Sequence, residues 1–264
     1  MDEDDKLPFT GHLDELRRRM IVCFVAVGVG FAACYGFKER MFEVLVAPLT
    51  AVMGEGDTLI FTGLPEAFFT YLKVSLLGGI MLAAPVLFYE FWMFVSPGLY
   101  RRERRLLLPV IFLSSFFFVG GALFGYFIVF PWGFKFFLGF ASEHIKPLPS
   151  MKEYLGFSAK LLLAFGLVFE LPLVITFMAR LGLVSIEFLK KNRKYAILLF
   201  FVGAAILTPP DVITQIMMAL PLMLLYEISI VGARVFGKKR REEDSPPDPA
   251  AESTKEGGEP DSTP

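Results

Sequence analysis

The sequence predicts an all-α integral membrane protein with six transmembrane helices. Its 264 residues are 55% hydrophobic and only 20% charged, and 30 of them are phenylalanine. The charges are also unevenly spaced, since residues 106–134 contain none and residues 74–100 contain only Glu90. Such stretches exceed the roughly 20 apolar residues that cross a bilayer as a helix. This composition argues against a soluble enzyme, and we expect no catalytic residues, no metal and no cofactor.

Six apolar runs follow one another along the chain, each bounded by charges, proline or glycine. In order they cover residues 20–37, 71–95, 106–130, 155–179, 195–208 and 213–233. The segment from Lys38 to Thr70 is interrupted by proline and glycine, and we expect it to form an ordered external cap. Residues 1–241 then form the membrane domain, and the acidic, proline-rich residues 242–264 are expected to form a disordered tail.

The distribution of basic residues predicts that both termini lie in the cytoplasm. Nineteen of the 26 lysines and arginines fall before the first span, between spans two and three, between spans four and five, or after span six. Five fall on the opposite side, and cytoplasmic segments carry the excess of Lys and Arg. The acidic residues 2–5 lack the basic start of a cleaved secretory signal. We therefore expect an N-in/C-in topology and, with a net charge of −1, no nucleic-acid partner.

Spans five and six are predicted to be short or interrupted. About 14 residues separate Lys194 from Pro209, which gives a helix of roughly 21 Å against a hydrocarbon core of about 30 Å. Asp211 is placed to cap the first turn of span six, and Pro221 is expected to interrupt that span. The bilayer beside these two helices is therefore expected to be locally thinned.

Three carboxylates lie within the predicted spans. Glu170 is about 14 Å along its helix from Arg180, so it must be protonated, paired with another helix, or facing water. We favour a wetted concavity over a structural interhelical hydrogen bond. Glu90 and Glu227 lie nearer the inner interface and are expected to reach it or to pair locally. Trp92 is expected to be an interfacial anchor.

Two further carboxylates, Glu15 and Glu103, are each enclosed by a cytoplasmic cluster of arginines. One interpretation is local helix pairing, as between Glu15 and Arg19 or between Asp14 and Arg18, four residues apart. The other is that both carboxylates bind the guanidinium groups of an incoming ligand, because a guanidinium group and a carboxylate form two parallel hydrogen bonds. We call such a carboxylate a socket. The sequence leaves both open.

Several motifs occur in a characteristic order along the chain. They are His12-Leu13-Asp14-Glu15-Leu16-Arg17-Arg18-Arg19, Ala47-Pro48-Leu49, Phe94-Val95-Ser96-Pro97-Gly98-Leu99-Tyr100 with Glu103-Arg104-Arg105, Phe165-Gly166-Leu167-Val168-Phe169-Glu170-Leu171-Pro172, and Leu207-Thr208-Pro209-Pro210-Asp211. In these motifs the chain closely resembles the TatC family, the receptor subunit of the twin-arginine protein translocase. The resemblance covers about residues 9–237.

The resemblance implies a glove-shaped, concave six-helix protein of the bacterial cytoplasmic membrane that binds twin-arginine signal peptides of folded precursors. Transport would use the proton-motive force, and the partners would be the single-span subunits TatA and TatB, further copies of the receptor, and the lipid bilayer. Family roles then fall on the following positions. Signal-peptide binding would use Glu15, Glu103, Arg17, Phe94, Leu99, Tyr100 and Arg105; the concave face would carry Glu170; the external cap and anchor would use Pro48, Phe68 and Asp211; and partner helices would dock near Thr208 and Gln215.

Two other function classes stay open on the residues alone. A transporter of small molecules or ions could use Glu170 as a proton-coupled carboxylate, and it would show substrate-dependent proton flux in liposomes. A purely structural membrane scaffold would show no ligand-dependent change.

Overall fold

The described part of the chain folds into ten α-helices, which contain most of its residues. The computed structural model describes residues 9–54, 58–95, 107–142, 146–208 and 212–236. The helices are α1 (Phe9–Tyr35), α2 (Lys38–Thr50), α3 (Glu66–Val95), α4 (Leu107–Phe124), α5 (Phe130–Leu138), α6 (Met151–Phe169), α7 (Leu171–Arg180), α8 (Ile186–Lys191), α9 (Arg193–Leu207) and α10 (Val212–Phe236). A short π-helical segment, Gly125–Val129, joins α4 to α5. The all-α prediction is confirmed for these residues.

Within the described residues, five stretches of helix are long and apolar enough to cross a membrane. They are Gly11–Tyr35, Glu66–Val95, Leu107–Leu138, Met151–Arg180 and Val212–Val235. These correspond to predicted spans one, two, three, four and six. The remaining predicted span corresponds to α9, whose 15 residues reach only about 22 Å.

Helices α6 and α7 form one membrane-length stretch with a break at Glu170. Pro172 lies in the first turn of α7, where its missing N–H costs no helical hydrogen bond. The stretch ends at Gly182, whose φ of 76° is the left-handed conformation that glycine adopts without strain. Its N–H donates to the carbonyl of Ala179, which closes the end of α7.

Helix α1 packs antiparallel to α3 through a close approach of two glycines. A Cβ atom added at Gly30 would lie 2.7 Å from the carbonyl oxygen of Gly79. One added at Gly79 would lie 2.6 Å from the backbone nitrogen of Phe31. Small residues allow such backbone contact, which is a main source of helix association in a membrane. This contact sets the distance between α1 and α3 and the rotation of α1 along the rest of their interface.

The segment that is expected to form a cap is tied to the rest of the bundle by side chains from distant parts of the chain. The hydroxyl of Tyr126 donates to the carbonyl of Val44, and that of Tyr154 donates to the carbonyl of Leu45. Both acceptors lie in α2. The segment before Thr70 is thus ordered through α2 as expected, although Glu66–Thr70 already belongs to α3. Its position on the external side stays a prediction.

The carboxylate of Glu66 connects the loop before α3 to the start of α6. It accepts hydrogen bonds from the backbone N–H groups of Thr62, Gly63 and Lys152 at 2.7, 3.2 and 2.9 Å. It also accepts from the hydroxyl of Ser150 at 2.6 Å. One carboxylate therefore joins the loop before α3 to the start of α6.

The sequence-based expectations for Pro221 and Trp92 are wrong. Helix α10 continues through Pro221 without interruption. Membrane helices tolerate proline where surrounding groups compensate for the lost hydrogen bond, and Met218 and Leu222 beside it are buried in the bundle. Trp92 is not an interfacial anchor: it is only 3% exposed, packs edge-on against Phe177, and donates its ring N–H to the hydroxyl of Ser114 at 2.9 Å. A partner for that N–H inside the bundle is what permits a buried tryptophan.

Candidate functional site

The candidate site lies where the first turns of α1 meet the last turns of α3. Residues His12, Glu15 and Arg19 are spaced by three and four, so they share one face of α1. Glu90 and Phe94 are spaced by four and share one face of α3. The antiparallel packing of the two helices brings these faces together. We call these five residues the α1–α3 cluster.

The centre of the cluster is the guanidinium group of Arg19, which bridges two carboxylates. Its Nε and Nη2 atoms donate to Oε1 of Glu15 at 3.0 and 2.5 Å. Its Nη1 atom donates to Oε2 of Glu90 at 2.8 Å. The side chains of Arg19, Glu15 and Glu90 are 19%, 26% and 14% exposed, so all three are largely withdrawn from water while the cluster stays open at its edge.

The cluster has an aromatic outer wall. The imidazole ring of His12 stacks on the ring of Phe94, with centroids 4.4 Å apart and the planes 20° from parallel. The Nδ1 atom of His12 also lies 4.0 Å from Oε2 of Glu15. The wall therefore flanks the one carboxylate oxygen of Glu15 that Arg19 does not hold.

Half of the local-pairing hypothesis is confirmed. Glu15 and Arg19 form the expected pair, whereas Asp14 and Arg18 stay exposed and do not form theirs. Glu90 pairs with Arg19 of another helix, so the expectation that it would pair locally is wrong.

The other residues assigned to signal-peptide binding fall in two groups. Arg17 is exposed near the start of α1. Four assigned residues lie outside the described part of the chain, namely Leu99, Tyr100, Glu103 and Arg105. The structure thus brings Glu15 and Phe94 into one cluster, while Glu103 has no described position.

Glu170 lies inside the bundle at the break between α6 and α7. It is 7% exposed, and its Oε1 atom is buried without a hydrogen-bond partner among the described residues. Ser114 of α4 is the polar side chain that faces it. The favoured expectation of a carboxylate open to a wetted concavity is therefore wrong for this conformation, because the helix break turns Glu170 toward α4.

The assigned cap residues are on α2 and the start of α3. Pro48 is buried inside α2, and Phe68 is exposed in the first turn of α3. Asp211, which was expected to cap α10, lies outside the described residues.

The assigned docking residues lie where α9 and α10 face each other. Thr208 is 8% exposed and donates its hydroxyl to the carbonyl of Ala204 in its own helix. Gln215 donates its amide N–H to the carbonyl of Phe201 at 2.9 Å. Both polar groups are therefore engaged within the chain, and Gln215 is the more accessible of the two.

Sequence reasoning did not assign Arg19 or Glu90 to the site. The four-residue spacing of Glu15 and Arg19 shows one half of the bridge. The other half joins residues 71 positions apart, and no pattern within a single helix predicts it.

Known proteins match this chain over most of its length. A family model described as Sec-independent protein translocase protein (TatC) matches residues 11–221. The TatC protein of Desulforapulum autotrophicum is 71% identical over 252 residues, covering 96% of this chain and 92% of that protein. The TatC protein of Escherichia coli is 38% identical over 245 residues, covering 92% and 95%.

Solved structures agree with the sequence matches. A crystal structure described as the twin-arginine translocase receptor TatC superposes with a TM-score of 0.77 at 41% identity, covering 85% of this chain and 99% of that one. With the family model spanning most of the chain and relatives matched nearly end to end, this chain belongs to the TatC family of Sec-independent protein translocase proteins.

Proposed function

We propose that this chain is the signal-peptide receptor and core subunit of a twin-arginine translocase in the bacterial cytoplasmic membrane. The observation that carries the proposal is the position of Glu15. It is a partly exposed carboxylate at a helix end, beside a stacked aromatic wall, with Oε2 outside the Arg19 bridge. Such a carboxylate accepts a guanidinium group through charge-assisted hydrogen bonds. The family and the matched receptor structure support the same role.

The proposed site has a second half in Glu103. Arg17, Leu99, Tyr100 and Arg105 would form the surface around the two carboxylates, together with Phe94. Two carboxylates suit a ligand with two consecutive arginines, because each guanidinium then finds its own partner.

The topology belongs to the same proposal. With both termini in the cytoplasm, the α1–α3 cluster faces the compartment in which precursors are made, and α2 caps the opposite side. The 15-residue α9 would act as span five, with the bilayer locally thinned around it. The proton-motive force would drive transport.

The single-span partners, TatA and TatB, would dock along α9 and α10. The outward side chains there are large and apolar, as at Leu199, Ile206 and Leu220. Gln215 is partly exposed and would offer a polar contact beside them, and Thr208 lies at the end of α9 close to it. A partner helix would pack on this face, and further copies of the receptor would complete the complex.

The test is binding of a fluorescent twin-arginine signal peptide to the detergent-purified protein, beside a twin-lysine version. Glu15→Gln and Glu103→Gln should each weaken twin-arginine binding by about 10- to 150-fold, since a charge-assisted hydrogen bond contributes about 1.5–3 kcal/mol. Glu187→Gln is the matched control, because it removes an exposed carboxylate from α8 at the same end of the bundle. Equal binding of the two peptides would overturn the proposal and make the transporter hypothesis the next to test.

A further inference from the structure

The Arg19 bridge places an arginine of the protein itself in the proposed arginine socket. Two donors of Arg19 converge on Oε1 of Glu15, at 3.0 and 2.5 Å. Oε2 makes only the 4.0 Å contact with His12 among the described residues. A guanidinium group that pairs with Glu15 through both oxygens must therefore take Oε1 from Arg19.

Glu90 makes this exchange feasible. It already holds Nη1 of Arg19 at 2.8 Å and is the least exposed member of the bridge. When Arg19 leaves Glu15, it keeps one carboxylate partner and is not stranded as a lone charge at the membrane boundary. Leaving such a charge unpaired would be strongly unfavourable, because a buried ion needs a partner.

We propose that Arg19 is an internal competitor for Glu15 that sets the preference of the site for arginine over lysine. The proposal rests on the function proposed above. An incoming arginine replaces the two-donor contact of Arg19 with an equivalent one, so the exchange is close to balanced. A lysine ammonium is a compact point charge and lacks the planar pair of donors of a guanidinium group. It therefore cannot replace the two hydrogen bonds that Glu15 loses when Arg19 leaves.

In this arrangement both Arg19 and Glu15 contribute to the preference for arginine over lysine. A lysine that approaches Oε2 alone meets a carboxylate already neutralised by Arg19, and it is repelled by the guanidinium group beside it. The role of Glu90 is to hold Arg19 while Glu15 is occupied by the ligand. Arg19 and Glu90 are thus positioning residues, which act through Glu15.

The proposal is tested by the ratio of the twin-arginine to twin-lysine affinities, measured for the full chain in detergent. Arg19→Gln should lower this ratio about tenfold or more, mainly by strengthening twin-lysine binding. Arg18→Gln is the matched control, because it removes the same charge one residue away from an exposed position outside the bridge. It should strengthen the binding of both peptides to the same extent and leave the affinity ratio within about twofold of the wild-type value.

Two further variants complete the test. Arg19→Lys keeps the charge but weakens the competitor, so it should lower the ratio about threefold or more, and it decides the question if Arg19→Gln does not fold. Glu90→Gln removes the second partner of Arg19, so it should weaken twin-arginine binding about fivefold without strengthening twin-lysine binding.

The two proposals fail differently. If the wild-type protein does not prefer the twin-arginine peptide, and Glu15→Gln changes nothing, the receptor function is overturned. If the wild type is selective but both Arg19 variants keep the ratio seen with Arg18→Gln, the receptor function stands and the competitor role of Arg19 is overturned.

Discussion

Substitutions of Pro48 and Tyr126 are expected to have non-additive effects on the free energy of unfolding. Proline has no backbone N–H, so Pro48 cannot donate to the carbonyl four residues earlier, which is that of Val44. The hydroxyl of Tyr126 donates to that same carbonyl from the π-helical segment. The tyrosine therefore supplies the hydrogen bond that the proline removes from α2.

The magnitude follows from the fate of the Val44 carbonyl. In Tyr126→Phe it loses its donor in an apolar setting, and an unsatisfied polar group costs about 1–3 kcal/mol. Val44 is exposed at the edge of α2, so the lower part of that range applies, about 1–2 kcal/mol. In a Pro48→Ala background the N–H of the new alanine can donate to Val44, and the same Tyr126→Phe change should then cost less than about 0.5 kcal/mol.

The assay is the free energy of unfolding of the four proteins of this double-mutant cycle, titrated with denaturant in one detergent. Tyr154→Phe is the matched control for Tyr126→Phe. Its acceptor, the carbonyl of Leu45, faces a non-proline residue, Leu49, four positions later, so its cost should be the same in both backgrounds. A Tyr126→Phe cost that does not change on Pro48→Ala would refute the reasoning.

Three further predictions concern packing and pairing within the bundle. Gly30→Ala should destabilise the protein by about 1–3 kcal/mol through the clash with α3, whereas Gly28→Ala, which meets nothing within 4 Å, should be near neutral; thermal unfolding of the pair measures the difference. Ser114→Ala should cost about 1–3 kcal/mol in a denaturant titration, because it strands the buried ring N–H of Trp92, and an unchanged midpoint would contradict that bond. Glu227→Gln should change the unfolding free energy by less than about 1 kcal/mol, because its ion pair is half exposed.

The helices themselves were predictable because helix formation in a bilayer depends on local composition. Apolar length located five of the six predicted spans as membrane-length helices, with bounds that differ by up to nine residues. The main local error was Pro221, which the sequence treats as an interruption and the structure accommodates within α10. The break at Glu170 and the short α9 follow from residues close together in the chain.

The candidate site was predictable only in the parts that one helix contains. The pairing of Glu15 with Arg19 is a consequence of their four-residue spacing, and the structure confirms it. The partner in Glu90 depends on how α1 is rotated and how deeply it sits against α3. That alignment is set by the backbone contact between Gly30 and Gly79, two residues without side chains that could bind a ligand.

The sequence by itself determined which segments are helical, which are long enough to cross a membrane, and which charges share a helix face. Only the tertiary structure decided that Trp92 and Glu170 point into the bundle and that Arg19 bridges two helices. The physical reason is that lipid tails and the protein interior are equally apolar. Hydrophobicity therefore locates a helix in the bilayer but does not say which of its faces meets lipid and which meets protein.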